Sequence, residues 1–265
     1  MKKILVFALS TALFGAFTSC DRVSNPYIPS TQVDLDTNLY EGNWSDYENN
    51  EWPTFTANTN VNRNILLEDY TGHKCPNCPI ATTEAENIHD ANPNRVFVAA
   101  IHAGPDSDGI TGFQTTDASF TRDFTTEETR KYGGFFMDYG FFANPMGTIN
   151  RFPYGTNNDG SEMFQLAGNW NTRVSDMLAA NDLKANIQAI SNFYSATSGG
   201  YIHAEVEFLE ELTGNYKIAT YVIQNLIIDK QTSNESGNTI TIPDYQHKDV
   251  FIGTVDGEAW GQTLA

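Results

Sequence analysis

Cysteine is nearly absent from this chain: three residues in 265. That number cannot build a disulfide scaffold or a four-cysteine zinc site. Basic residues are scarce too, with 15 Lys and Arg against 33 Asp and Glu and a formal net charge of −18. A surface of that sign repels phosphate backbones and argues against nucleic acid as a partner. No apolar run reaches the ~20 residues that a permanent membrane-spanning helix needs. There is no Ser-His-Asp order, nucleophile elbow or phosphate-cradling glycine loop. Asp106, Asp108 and Gly109 faintly suggest a calcium loop. Pro105 and the lack of an acid at the twelfth position argue against an EF-hand, so the segment reads as an acidic loop. What is present is material for a core. Apolar residues make up 40% and aromatics 12%, including 17 Phe and 12 Tyr, which rules out a disordered or collagen-like chain.

The N-terminus carries the first positive signal. Met1-Lys2-Lys3 is a short basic start, and Ile4 to Phe17 is an apolar stretch of signal-peptide length. It closes on Phe17-Thr18-Ser19-Cys20, which resembles the lipobox of bacterial lipoproteins, where the cysteine becomes the diacylated mature N-terminus. The expected anatomy is a signal peptide over 1–19 and a lipidated tether over 20–62. Cleavage removes Lys2 and Lys3, so the charge moves from −18 to −20 and one thiol pair remains, Cys75 and Cys78. The tether is rich in Asn, Thr, Asp and Pro without a sustained period. Trp44, Tyr47, Trp52 and Phe55 nevertheless suggest that part of it packs on the folded domain after it.

The first folded block spans 63–182. Ile65-Leu66-Leu67 reads as a buried strand, and a helix begins around Cys78-Pro79 with Ile80, Ala81, Ala85 and Ile88 on one face. Val96 to Ile101 is a second strand. Strand, helix, strand over ~35 residues predicts parallel neighbours and a right-handed crossover. Residues 103–143 form an insertion with a helix expected from Phe120 to Tyr132, stopped by Gly133-Gly134. Asn144-Pro145 then leads into a short strand, and Ser161 caps a helix repeating at Leu166, Trp170, Val174 and Leu178. From about 184 the period becomes 2, as in Ile202, Ala204, Val206 and Phe208, and Tyr216 to Ile228 is another strand. The expected second domain, 183–265, is an all-β immunoglobulin-like sandwich. About four or five strands are visible where about seven are wanted, so the sandwich reads as incomplete.

Chemistry concentrates at Cys75 and Cys78. Two thiols three positions apart at a strand-to-helix seam can meet across one helical turn. The helix N-terminus and Lys74 favour a thiolate on Cys75, expected to be the more exposed sulfur with a pKa below the free value of ~8.5. Cys78, one turn in, is the resolving thiol. Zinc would need His73, His89 or His102 to complete four ligands, and their spacing shows no pairing. A purely structural disulfide is the remaining alternative, although so small a loop adds little stability through entropy.

Ile65 to Tyr70 followed by Cys75-Pro76-Asn77-Cys78 resembles the active-site strand and turn of thioredoxin-like proteins. The resemblance implies a proton-relaying acid six residues before the first cysteine, matched by Asp69 with Glu68 beside it. It also implies a cis-proline opposite the pair, matched by Pro145. Lys74 replaces the usual tryptophan. The lipobox, Thr71-Gly72, Cys75, Asn77-Cys78-Pro79, Pro145, Gly147 and Asn150-Arg151 together are similar to the Omp-twenty-eight-related outer membrane lipoproteins of Bacteroidetes. Gln231 and Tyr245-Gln246-His247-Lys248 match more loosely. The expected function is a lipid-anchored envelope protein exchanging thiols and disulfides with exported proteins, without cofactor or metal. The alternative is a non-enzymatic scaffold whose β domain binds another envelope protein or a glycan.

Overall fold

The computed structural model describes the backbone of residues 2–9, and residues 35–154 and 162–264 in full. In chain order the elements are β1 (Lys2–Leu9), α1 (Trp44–Asn50), β2 (Ile65–Thr71), α2 (Cys78–Ala91), β3 (Val96–His102), α3 (Glu127–Phe136), β4 (Met146–Ile149) and α4 (Ala167–Ala180). Then come β5 (Ala185–Tyr194), β6 (Gly199–Phe208), β7 (Lys217–Ile218), β8 (Tyr221–Glu235), β9 (Asn238–Thr254) and β10 (Gln262–Thr263). Cys20 and Ser161, both singled out by the sequence, lie outside the described residues.

The chain forms two compact units. One joins Asn62–Asp182 to Tyr221–Thr254, and the other takes the described parts of Met1–Val61, Leu183–Thr220 and Val255–Ala265. A break falls between Asp182 and Leu183, but residues 221–254 belong with the first unit rather than with a second domain over 183–265. The reason is a pairing between residues far apart in sequence: Ala100 of β3 lies beside Val250 of β9, which draws the β8–β9 hairpin into the first unit's sheet. The resulting order is β4-β2-β3-β9-β8.

Within that sheet β2 and β3 are parallel, Ile65 opposite Val96 through Thr71 opposite His102, as the βαβ pattern predicts. β4 runs antiparallel to β2, with Gly147 opposite Asp69. The two faces of β2 bury different things. Ile65 and Leu67 meet Ala81, Ala85 and Ile88 of α2 and Trp170, Val174 and Met177 of α4 in one aliphatic core. Tyr70, on the other face, packs against Phe136, Phe141 and Phe164. Period-2 alternation thus sends Asp69 toward α2 and Glu68 away from it.

The helix expected at Phe120–Tyr132 lies instead at Glu127–Phe136, where Thr126 and Thr129 form a reciprocal cap. Gly133 and Gly134 do not stop it. A Cβ on Gly133 would overlap the Gly104 carbonyl and the Cα of Gly109, so the glycine permits close packing of helix on loop. α4 begins at Ala167, and Leu166 is exposed rather than part of its buried face.

In the other unit, β5 and β6 pair antiparallel from Ala185 opposite Phe208 to Tyr194 opposite Gly199, and the backbone of Lys2–Leu9 pairs along β6. β7 and β10 make a separate two-stranded sheet. Where an immunoglobulin-like sandwich was expected, the described residues contain these two small sheets. The stretch read as a tether is partly folded here. Trp44 stacks on Tyr47, which is fully buried with Tyr194 and Tyr201.

Candidate redox site

β2 ends at Thr71 and α2 begins at Cys78, so the turn 72–77 holds Cys75 above the sheet while Cys78 opens the helix. Pro79 suits that first turn, because its missing N–H has no intrahelical partner to lose. Cys75 and Cys78 form a disulfide. Both are 1% exposed, which corrects the expectation that Cys75 is the open sulfur. β8 is hydrogen-bonded to this turn. Thr232 donates its N–H to His73 O at 2.8 Å, and Asn234 donates its N–H to Pro76 O at 2.8 Å. The Gln231 side-chain amide, itself buried, donates to Gly72 O and Cys75 O. Lys74 does not reach back over the sulfurs: its ammonium pairs with Asp117 at 2.7 Å.

Asp69 lies on the face of β2 that packs against α2, the helix opened by Cys78. It is buried, accepts a hydrogen bond from Thr82 Oγ1 at 3.2 Å, and its Oδ1 has no hydrogen-bond partner among the described residues. Burial pushes its carboxyl up to about 7, against the opposing pull of Thr82. Thr82 lies one turn along α2 from Cys78, and both line a small cavity with room for about one water molecule. His102, Gln231, Tyr245 and His247 complete much of its wall. Burial pushes the Tyr245 phenol up to about 12.

Glu68 is placed elsewhere. It faces the α3 side, where Arg151 grips both carboxylate oxygens at 2.7 and 2.8 Å. Thr148 and Tyr221 donate to the same carboxylate. Burial alone would raise its pKa, but the Arg151 charge and these hydrogen bonds outweigh it and hold Glu68 below the usual carboxylate range. An acid so committed is not a proton relay for cysteines on the opposite face, which corrects its candidacy. Arg151 completes the cluster by lying over the Tyr132 and Phe136 rings. Asn150, its neighbour in the motif, accepts from Leu66 N–H at 2.7 Å and anchors the turn to β2.

Pro145 follows a cis peptide bond and enters β4. Asn144 donates to Tyr70 O and Ala103 O, both at 2.9 Å, and so bridges the ends of β2 and β3.

Three histidines dispersed in the sequence meet only in the fold. His73, His102 and His247 share one ring cluster with Phe120 and Phe124, the His102 and Phe124 rings lying 4.4 Å apart. Burial lowers all three, His247 to about 4, so the cluster is neutral at pH 7. Among the described residues no group of three or more His, Cys, Asp and Glu is placed to hold a metal ion. Thr232 and Asn234 of the hairpin are likewise unmarked in the sequence as site residues. The hairpin itself has a local signal in Ser236-Gly237, a two-residue turn with both residues at positive φ, flanked by β-forming runs.

Compared with solved structures, the chain is similar to HBP35 of Porphyromonas gingivalis, with a TM-score of 0.51 and 13% identity over 77% of this chain. It spans 60% of the length of that structure. At that identity the likeness concerns the fold alone, and it fits the thioredoxin-like arrangement of β2, α2, β3 and β4 around the Cys75–Cys78 disulfide. A second structure, from Agrobacterium tumefaciens, overlaps with a TM-score of 0.36 at 16% identity over 74% of this chain and 75% of that one, too loosely to carry an argument. No protein-family model and no curated protein matches the chain.

Proposed function

We propose that this chain is a lipid-anchored cell-envelope protein whose thioredoxin-like unit exchanges disulfides with exported polypeptides. The observation that carries the reading is Asp69. A buried carboxyl with one unpartnered oxygen costs stability, and a pKa near neutrality suits it to moving a proton. A substrate thiolate attacks Cys75 Sγ, the Cys75–Cys78 bond breaks, and its electron pair leaves on Cys78 Sγ, which takes up a proton supplied by Asp69. A second substrate thiolate then attacks the substrate sulfur of the mixed disulfide and expels Cys75 as a thiolate, and the two protons that the substrate thiols gave up to solvent return to Cys75 and to Asp69. Two electrons and two protons pass from a substrate dithiol to the pair, and the substrate leaves as a disulfide.

The burial of both sulfurs favours a second reading, a structural disulfide on an inert scaffold. Incubating the oxidised protein with a reduced, unstructured peptide carrying two cysteines separates the two. Under exchange the peptide becomes oxidised as the Cys75–Cys78 pair is reduced, and Cys75→Ser abolishes the transfer. A pair that stays oxidised in folded protein, whatever the excess of peptide, leaves only the scaffold.

Anchoring rests on the basic start, the apolar core and the Thr18-Ser19-Cys20 ending. Intact mass of the membrane-extracted protein should correspond to a chain beginning at a diacylated Cys20. A mature N-terminus at any other residue would overturn this part of the proposal.

A further inference from the structure

Two threonines stand together on α2, and they do different things. Thr83 donates its hydroxyl back to Pro79 O at 2.9 Å, the ordinary habit of a helical threonine. Thr82 instead donates across to Oδ2 of Asp69 on β2 at 3.2 Å. Thr82 is four residues after Cys78, so the two side chains are neighbours on one face of the helix. Both line the small cavity beside the disulfide, and Asp69 is not among its lining residues. Thr82 therefore touches the acid on one side and, on the other, the cavity that Cys78 shares. The carboxyl has little else to work with, since it is buried and its Oδ1 has no hydrogen-bond partner among the described residues. The titratable groups nearby are Glu86 of α2, ion-paired with Lys248 of β9 at 2.9 Å, His102 of β3, and Tyr245 and His247 of β9. The Asp69 carboxyl itself answers to two influences, burial, which raises it, and Thr82, which lowers it.

We propose that Thr82 is the positioning residue through which Asp69 delivers its proton to Cys78. This deepens the exchange reading above and rests on it. As the Cys75–Cys78 bond breaks, the Asp69 O–H bond breaks too and its proton passes to Thr82 Oγ1. Thr82 gives up its own hydroxyl proton to a water in the cavity, and that water passes a proton to the Cys78 thiolate. One proton moves from Asp69 to Cys78, and Thr82 and the water end unchanged.

Two variants separate the hydroxyl from the rest of the side chain. Thr82→Val keeps its shape and removes the hydroxyl, while Thr82→Ser keeps the hydroxyl and removes the methyl. The full mature chain is oxidised and mixed with the reduced two-cysteine peptide at pH 7. In the same oxidised proteins the Asp69 carboxyl carbon resonance is followed with pH. Thr82→Val should slow peptide oxidation about a hundredfold, the low end of what a positioned proton donor supplies. It should also move the Asp69 midpoint upward, because a donor to the carboxylate is lost. Thr82→Ser should restore both. Asp69→Asn added to Thr82→Val should slow the reaction no further, since the two act on one path. A Thr82→Val protein that matches the wild-type rate overturns the path and leaves exchange standing. So does a Thr82→Ser protein as slow as Thr82→Val, or an Asp69 midpoint that does not move, because either assigns the loss to packing. A wild type that never oxidises the peptide ends the exchange reading and the path with it.

Discussion

Arg151→Met should cost about 3–5 kcal/mol at pH 7.5, the penalty for leaving a buried carboxylate without its partner. Glu68 has 1% of its side chain exposed, and Arg151 supplies two of its four hydrogen bonds as well as its counter-charge. The effect should depend on pH in a defined direction. In the wild type the depressed Glu68 pKa contributes stability above the unfolded value, lost as pH falls through the folded one. Without Arg151, burial raises that pKa, so the variant recovers part of its deficit in acid as Glu68 takes up a proton. Glu68→Gln in the Arg151→Met background should return most of the loss at pH 7.5, because a neutral amide no longer demands a cation. Urea unfolding of the two single variants and the double variant reads this directly. A double variant as unstable as Arg151→Met would mean that the loss comes from the arginine's packing on Tyr132 and Phe136.

Asp69→Asn should stabilise the oxidised protein, by at most about 4 kcal/mol at pH 8.5 on a scale of about 1.36 kcal/mol per pKa unit. The sign follows from the direction of the shift. A carboxyl raised to about 7 binds its proton more tightly in the folded than in the unfolded chain. Its cost therefore builds as pH rises from the unfolded value near 4 through 7, and is full above that. At pH 4 the folded state holds the proton and the unfolded state holds it about half the time, so the gain from asparagine should shrink to well under 1 kcal/mol by the same scale. Urea unfolding at the two pH values tests it. An equal gain at both would assign the effect to packing around Thr82 rather than to ionisation. On the exchange reading the same substitution should slow peptide oxidation, since Cys78 then lacks its proton donor. Stability gained and transfer lost in one variant is the signature of an acid retained for chemistry.

Local patterns suffice for the βαβ unit. Ile65–Leu67 and Val96–Ile101 are short apolar runs, and Pro79 with the spacing of Ala81, Ala85 and Ile88 marks the helix between them. Helix caps and strand periods act over a few residues, so they are written in a few residues. The dithiol motif and the offset of Asp69 are legible for the same reason. Glu68 reads in the sequence as a second acid at the site, though the alternation of a strand already puts neighbours on opposite faces. What the chain order does not disclose is every contact that closes over a distance. Ala100 beside Val250, Arg151 on Glu68, and Gln231 on Cys75 each join segments tens of residues apart, and nothing local in either partner names the other. Burial of the disulfide is one of those long-range outcomes. The amino-acid sequence by itself determined the βαβ unit and the two cysteines that pair at its strand-to-helix turn. Only the tertiary structure decided that a hairpin distant in sequence is bonded to the turn that carries them, because what packs against a site is not a property of the site's own residues.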